Sequence, residues 1–398
     1  MRQPIKLKVK LTTVLLAFWM LFASLVPAYA FSWRDIAGQP IVEQLSANSG
    51  SDLLTILISL LFGEVNKVNT ANGNGSLPGL GNSGPGKKEL IGFYAEWWGN
   101  DTSSFTAMQK NAQTLNVIAP FWATLQADGR LTDRGGNDHS AVVKAAHQNK
   151  IKVLLLVNND PGKNGQNTPI HSLLTDRSLR ATAINNLENY IKKYGLDGIN
   201  IDFEGVPAAD RDNLSQFMNE LATRLKPQGY EISIDVYPKQ DETNDVSIAY
   251  DYSQLARYAD KIIIMTYDNH GVWSGPGPVE NNLRYALQFI PKNKLFLGIA
   301  GYGYDWSAKG VESMEYKPII DLSQRFSAPI AWDEQAKVPH FSYTGPDGVA
   351  HEVWYENQAS LQYKVNLVKK YDIAGAALWK LGEEDPGYWE ILKTVFGK

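Results

Sequence analysis

Short apolar runs alternate with segments of helical periodicity along most of the chain beyond residue 88. Eight of the runs have the length and residue content of buried strands. They span residues 90–97, 116–122, 151–157, 198–203, 231–237, 261–267, 295–302 and 375–381. Between them, apolar side chains recur at helical spacing, most clearly in residues 179–191 and 214–225. Eight alternations of strand and helix predict an α/β fold, a (β/α)8 TIM barrel.

A doubly wound open sheet is the alternative fold. It is less favoured because no glycine-rich phosphate-binding loop follows the first predicted strand. The alternation is interrupted once, after the seventh predicted strand, where prolines separate several short runs over residues 305–354. We expect a small α+β insertion there, on the barrel face where such folds carry their functional loops.

The N-terminal 88 residues differ in composition from the rest. Residues 1–30 have a basic leader, an uncharged apolar run and small residues at Ala28 and Ala30, the pattern of a signal peptide cleaved near Ala30. An uncleaved membrane anchor is the alternative, since the apolar run is near the lower length limit for a span. Residues 31–65 are interpreted as a short pre-domain segment and residues 66–88 as a flexible linker rich in Gly, Asn and Ser. The folded domain is expected at residues 89–398.

Composition excludes several classes of function. The chain has no cysteine, which rules out disulfides and cysteine-ligated metals. Its six histidines lack a metal-binding spacing such as HExxH, and we expect neither a metal nor a cofactor. The formal net charge is −4 without a basic cluster beyond the leader, so we expect no nucleic-acid partner.

The segment 197–205, DGINIDFEG, carries the strongest candidate chemistry. Because side chains alternate along a strand, Asn200, Asp202 and Glu204 share one face, and apolar residues occupy the other. Inward-facing carboxyls are costly unless they perform chemistry. Charges on a solvated strand face are the ordinary alternative, which the apolar partners disfavour. We expect the Asp202–Glu204 neighbourhood to raise the proton affinity of one carboxyl, and Asn200 to hydrogen-bond Asp202 without ionising.

Further polar and aromatic residues follow other predicted strands. In a barrel of this kind, functional groups lie at the carboxyl ends of the strands. Those ends carry MTYD at 265–268, GYGYDW at 301–306 and LWK at 378–380. Phenols and indoles stack on sugar rings, and a carboxylic acid can protonate a glycosidic oxygen. This mixture therefore favours a carbohydrate as the ligand.

Four segments, in this order, resemble glycoside hydrolase family 18, the chitinase-like enzymes. They are Asp197-Gly-x-Asn-x-Asp-x-Glu204, Met265-Thr-Tyr-Asp268, GIAGYGYDW at 298–306 and ALWKLG at 377–382. The resemblance covers essentially all of residues 89–398. It implies a TIM barrel and a glycosidase that acts on polysaccharides containing N-acetylglucosamine.

One position departs from the common chitinase pattern. Asn200 stands where many chitinases have the middle aspartate of the motif. Together with VWYE at 353–356 and WKLG at 379–382, Asn200 is more similar to bacterial spore-cortex and cell-wall N-acetylglucosaminidases. The resemblance therefore favours peptidoglycan over chitin, and it implies a protein that is secreted or associated with the cell wall or spore.

The resemblance also implies a retaining, substrate-assisted mechanism. Glu204 would protonate the leaving oxygen and later activate water, Asp202 would hydrogen-bond the acetamido N–H, and Tyr267 would hold the acetamido oxygen. Asp197 would support the strand. Four residues are expected to bind substrate: Asn200, Trp379, Asp268 and Phe93.

Several alternatives stay open at this point. A chitinase and an endo-β-N-acetylglucosaminidase acting on N-linked glycans differ from a wall-directed enzyme in their loops. A lectin-like protein could use the same fold without catalysis, since fold does not fix function. Inactive members of the family typically lack the terminal glutamate of the motif, whereas Glu204 is present here. The polysaccharide is the expected partner, and no oligomeric state is predicted.

Overall fold

A computed structural model describes residues 86–96, 101–160, 169–244, 246–267 and 278–398. The predicted signal peptide, the pre-domain segment and nearly all of the predicted linker lie outside the described residues, as does Asp268. None of the described helices is long and apolar enough to cross a bilayer.

The described residues form fourteen β-strands. They are β1 (Glu89–Tyr94), β2 (Val117–Leu125), β3 (Leu131–Asp133), β4 (Lys152–Asn159), β5 (Gly198–Asp202), β6 (Glu231–Val236), β7 (Lys261–Ile264), β8 (Leu295–Ala300), β9 (Tyr302–Ser307), β10 (Gly310–Glu315), β11 (Ala331–Asp333), β12 (Val338–Thr344), β13 (Ala350–Tyr355) and β14 (Gly375–Trp379).

Ten α-helices separate or follow these strands in the described part of the chain. They are α1 (Ser103–Lys110), α2 (His139–Gln148), α3 (Ile170–Thr175), α4 (Arg177–Tyr194), α5 (Arg211–Leu225), α6 (Tyr252–Tyr258), α7 (Pro278–Ala286), α8 (Tyr316–Arg325), α9 (Gln358–Tyr371) and α10 (Tyr388–Phe396).

Eight parallel strands close into a barrel. Hydrogen bonds link β1, β2, β4, β5, β6, β7, β8 and β14 in that order, and β14 pairs back with β1. All eight strands coincide with the eight apolar runs of the sequence. The predicted TIM barrel is confirmed, and the open-sheet alternative is wrong because the first and last strands of the sheet are paired.

Alternation along the barrel strands creates two apolar layers. One cluster, which includes Phe93, Leu156 and Ile263, lies on the inward side of the strands. The other joins the outward side to the helices, and there the ring centroids of Phe203 and of Phe217 of α5 lie 5.4 Å apart. The inward cluster lies below the polar residues at the carboxyl ends of the strands.

Two glycines flank the start of β5. Gly195 ends α4 with a φ of 66°, in the left-handed region that suits a residue without a side chain. At Gly198, an added Cβ would lie 2.0 Å from the Glu231 carbonyl oxygen. This close approach brings β5 against β6 and aligns Asn200 with Ser233.

The predicted α+β insertion after the seventh barrel strand is present. Its five strands form an antiparallel sheet in the order β10, β9, β13, β12, β11. Helix α8 covers one face of the sheet, and Ile319 of α8 shares a buried cluster with Phe341, Val353 and Tyr355. The insertion therefore has an apolar core of its own.

A buried ion pair lies where the insertion returns to the barrel. Glu356 directly follows β13, and its carboxylate contacts the Lys364 ammonium of α9. Both side chains are almost fully buried. The Glu356 N–H also donates to the Tyr302 carbonyl oxygen at 3.2 Å, which ties the end of β13 to the start of β9.

Replacing Lys364 by Met should lower the free energy of unfolding by about 3–5 kcal/mol, because it leaves the Glu356 carboxylate buried without its cation. The double variant Glu356→Leu/Lys364→Met should lose much less, since no charge remains to be buried. Urea unfolding of the whole chain followed by circular dichroism measures both values. Equal losses in the two variants would contradict this account of the pair.

Candidate active site

Strand β5 carries a polar row from the barrel interior to its mouth. Asn200 is 0 % exposed and Asp202 is 7 % exposed. Glu204 lies two residues beyond the end of the strand and is exposed. The three side chains thus differ in their access to water although they alternate as the sequence predicts.

Side chains from β4 and from the end of β6 hold Glu204. Asn159 makes two hydrogen bonds with its backbone: the Glu204 N–H donates to Asn159 Oδ1 at 2.8 Å, and Asn159 Nδ2 donates to the Glu204 carbonyl at 2.9 Å. The Tyr237 hydroxyl donates to Glu204 Oε2 at 2.8 Å. The carboxyl group is therefore oriented at the mouth while one side of it stays open to solvent.

Strand β6 receives the hydrogen bonds of Asn200. Asn200 Nδ2 donates to Ser233 Oγ at 2.9 Å and to Asp235 Oδ1 at 3.1 Å. The expected hydrogen bond from the Asn200 amide to Asp202 is therefore wrong, because both amide protons are directed to β6. The sequence alone did not indicate this contact, because Asp235 belongs to the neighbouring strand.

Burial and neighbouring like charges control the pKa values of the two inward acids, Asp202 and Asp235. Desolvation, followed by the charges of Asp235 and Glu204, raises the pKa of Asp202 well above its usual value. Desolvation raises the pKa of Asp235 as well, against the opposing hydrogen bond from Asn200. The expected rise in proton affinity therefore occurs at Asp202, and the charge of Asp235 contributes to it more than the charge of Glu204 does.

Tyr267 and Trp379 lie at the ends of two other barrel strands. Tyr267 follows β7, is mostly buried and shares an aromatic cluster with Tyr302 and Trp379. Gly298 leaves room for the Tyr267 ring, since a Cβ there would lie 2.8 Å from Tyr267 Cε1. Trp379 ends β14 and keeps part of its surface exposed. Both residues are therefore at the mouth, where the sequence placed them.

Phe93 is buried against Trp379. It is 1 % exposed, and its ring centroid lies 5.3 Å from that of Trp379. Phe121 contacts Trp379 from another side, with 6.2 Å between centroids. Phe93 therefore packs against the indole and helps to orient it, and its expected contact with substrate stays a prediction.

Asp197 lies at the opposite, amino-terminal end of β5. Its carboxylate accepts the Val153 N–H at 2.7 Å and lies 2.8 Å from His147 Nε2. These contacts join β4 to β5 away from Glu204. The geometry fits the supporting role expected for Asp197.

Three residues of this site escaped the sequence analysis: Asn159, Asp235 and Tyr237. The signal for two of them was available, because residues 231–237 alternate as EISIDVY, and Asp235 and Tyr237 fall on one face. Asn159 ends β4 and carried no such pattern. Among the described residues, no group of three or more His, Asp or Glu is arranged to hold a metal ion.

A closed parallel barrel with an oriented carboxyl at the end of its fourth strand, backed by buried acids, is an arrangement that suits a TIM-barrel glycosidase. Residues 89–384 match the profile of Glycosyl hydrolases family 18, and the chain belongs to this family. The protein is therefore a glycosidase, and the resemblance in its four motifs is confirmed.

Three relatives illustrate the range of the family. The cortical fragment-lytic enzyme of Bacillus cereus is 31% identical over 300 residues, which are 71% of this chain and 68% of that protein. The crystal structure of the Bacillus cereus spore cortex-lytic enzyme SleL is 29% identical, with a TM-score of 0.69, and covers 78% of this chain and 75% of its own. A chitinase structure from Chromobacterium violaceum is also 29% identical with a TM-score of 0.69, covering 78% of this chain and 99% of its own.

Replacing Asn159 by Ala should lower the rate of glycoside cleavage by about ten- to a hundredfold, because the backbone that carries Glu204 loses both of its side-chain tethers. The KM should change little. Steady-state kinetics on a soluble oligosaccharide substrate measures both quantities.

Asn186→Ala is a matched control, since Asn186 Nδ2 donates to the Gly129 carbonyl away from the site. Equal rates in the two variants would contradict a positioning role for Asn159. Circular dichroism of both variants separates a loss of rate from a loss of fold.

Proposed function

We propose that the protein hydrolyses β-1,4 glycosidic bonds at N-acetylglucosamine with retention of configuration, and that the substrate's 2-acetamido group is the nucleophile. The observation that carries this proposal is the arrangement of Glu204. Its carboxyl group is held at the barrel mouth by Asn159 and Tyr237, and Asp202 lies two residues away in the buried interior.

Glu204 is the general acid and base. Its exposed carboxyl group can reach a glycosidic oxygen at the mouth, donate its proton to the leaving sugar and then take a proton from the incoming water. The Tyr237 hydroxyl restricts the carboxyl to one orientation through its 2.8 Å hydrogen bond. Proton transfer is efficient only when the acid is held in hydrogen-bonding reach of the reacting oxygen.

Asp202 and Tyr267 act on the acetamido group. As the acetamido oxygen attacks the anomeric carbon, positive charge develops in the ring that forms, and a carboxylate at Asp202 stabilises that charge through the acetamido N–H. Tyr267 holds the acetamido oxygen in line for attack. Both interactions are strengthened by the exclusion of water, because Tyr267 and Asp202 are largely buried.

The partly exposed face of Trp379 is the floor of the sugar subsite. Phe93 and Phe121 fix the indole from below and from the side, so that little freedom remains to be lost on stacking. Asp268 remains a proposed substrate-binding residue, and Asn200 acts on substrate only indirectly because its amide is directed to β6.

Peptidoglycan is the proposed polymer. Support comes from Asn200 in the β5 motif and from the relatives whose names describe lysis of spore cortex and cortical fragments. The protein acts at the cell wall or spore, after cleavage of its signal peptide near Ala30. Chitin is the second candidate, favoured by the similarity to a chitinase that aligns over 99% of its own chain.

Glu204→Gln should reduce cleavage by about 10²- to 10⁴-fold, the usual contribution of a general acid, while sugar binding is largely retained. Glu312→Gln is the control, because Glu312 is exposed on β10 of the insertion. Initial rates and isothermal titration with the same oligosaccharide measure cleavage and binding. Residual activity within tenfold of the parent protein would contradict the role of Glu204.

Mass spectrometry of the products should identify the substrate. We expect the whole chain to release fragments with reducing N-acetylglucosamine ends from peptidoglycan and to leave chitin oligomers intact. Cleavage of chitin oligomers would instead identify a chitinase. Binding without any product from either polymer would contradict the proposed hydrolysis.

A further inference from the structure

The proposed mechanism leaves the proton of Asp202 without a destination. Asp202 must be anionic when positive charge develops on the substrate, yet burial favours its neutral form. The preceding inward residue on β5 is Asn200, and an amide does not take up a proton at ordinary pH. A carboxyl group on a neighbouring strand can be the acceptor.

Strand β6 places a second carboxyl beside Asp202. The β5–β6 register aligns Asn200 with Ser233 and Ile201 with Ile234, so the next pair along the two strands is Asp202 and Asp235. Neighbouring strands are about 4.8 Å apart, and residues in register point to the same side. Asp235 is 2 % exposed, so both acids lie in the barrel interior.

Asn200 fixes the orientation of Asp235. The amide spans Ser233 Oγ at 2.9 Å and Asp235 Oδ1 at 3.1 Å, which holds the Asp235 carboxyl toward β5. Within the described residues, Asp202 Oδ1 is buried and has no hydrogen-bond partner. A buried polar oxygen of this kind is stable only if it gains a partner, and a proton shared with a neighbouring acid would satisfy it.

The groups around the two acids favour a shared proton. Glu204 acts on both carboxyls with a like charge, and the phenols of Tyr237 and Tyr250 are close enough to Asp202 to be affected by its charge. The residues in register on either side of β5 and β6 add no further charge. Asn158 of β4 is in register with Asp202, and Ile263 of β7 is in register with Asp235. Two buried carboxyls in such surroundings do not ionise together, so they titrate as a pair.

We propose that Asp235 is the proton partner of Asp202, an inference that rests on the proposed function. The pair holds one proton between its two carboxyl groups. As the anomeric carbon becomes positive, the proton leaves the Asp202 oxygen for the Asp235 oxygen, and the negative charge moves from Asp235 to Asp202. The net charge of the pair stays constant. Asp235 is a positioning residue, because it acts through Asp202 and not on the sugar.

The test is a carboxyl-¹³C NMR titration of the substrate-free whole protein. In the parent, Asp202 and Asp235 should titrate together in two linked steps. In Asp235→Asn, Asp202 should titrate in a single step about one pH unit or more lower, because a like charge that raises its pKa is gone. The control is Asp347→Asn, an exposed position in the insertion.

An exchange variant tests the same idea in the opposite direction. Asn200→Asp/Asp235→Asn keeps one amide and one additional carboxyl beside Asp202, so it should restore the linked titration. It should also recover cleavage to within about tenfold of the parent, whereas Asp235→Asn alone loses about ten- to a hundredfold. If Asp235→Asn is unstable, the variant Asp202→Asn provides the converse test. In that variant the pKa of Asp235 should be lower than in the parent.

An Asp202 titration that is unchanged by Asp235→Asn would overturn the inference. This readout needs no substrate, so it is independent of the proposed hydrolysis. The proposed hydrolysis would instead be contradicted if the parent protein cleaves neither peptidoglycan nor chitin oligomers. A purely structural role for Asp235 would lower thermal stability and leave the titration of Asp202 in place.

Discussion

The interior of the closed barrel excludes water from the side chains that point into it, and the chemistry of the site depends on that exclusion. Asp202 and Asp235 lie above an inward apolar cluster, where an unpaired carboxylate is poorly solvated. The same burial that raises the pKa of both acids strengthens every charge interaction they make. Glu204, exposed at the mouth, has the access to water that its proposed role in hydrolysis requires.

The strands β5 and β6 behave as one unit around this dry interior. Beyond the Asn200 bridge, the Tyr250 hydroxyl donates to the Phe203 carbonyl at 2.7 Å, and the Tyr252 hydroxyl donates to the Tyr237 carbonyl at 2.7 Å. The Tyr237 and Tyr250 rings meet edge to face, 5.3 Å apart. These contacts fix Glu204 and Tyr237 to a shared aromatic support, which keeps the Glu204 carboxyl in one place.

The insertion extends the aromatic surface of the mouth. Tyr302 and Tyr304 of β9 lie 5.6 Å apart, and the Tyr302 ring lies 6.4 Å from that of Tyr267. The sequence predicted that an insertion would occur here, since prolines broke the regular alternation. It did not predict which face would join the site, because that depends on how α8 covers the opposite face of the sheet.

The sequence by itself determined the barrel, the insertion and the alternation of polar and apolar side chains along a single strand. Local periodicity suffices there, because the positions of Asn200, Asp202 and Glu204 on one strand follow from the two-residue repeat. Only the tertiary structure decided which groups meet across strands: Asp235 with Asn200, Tyr237 with Glu204, and Phe93 beneath Trp379. Such contacts depend on strand register and barrel closure, which bring together residues that are far apart along the chain and whose proximity no local pattern records.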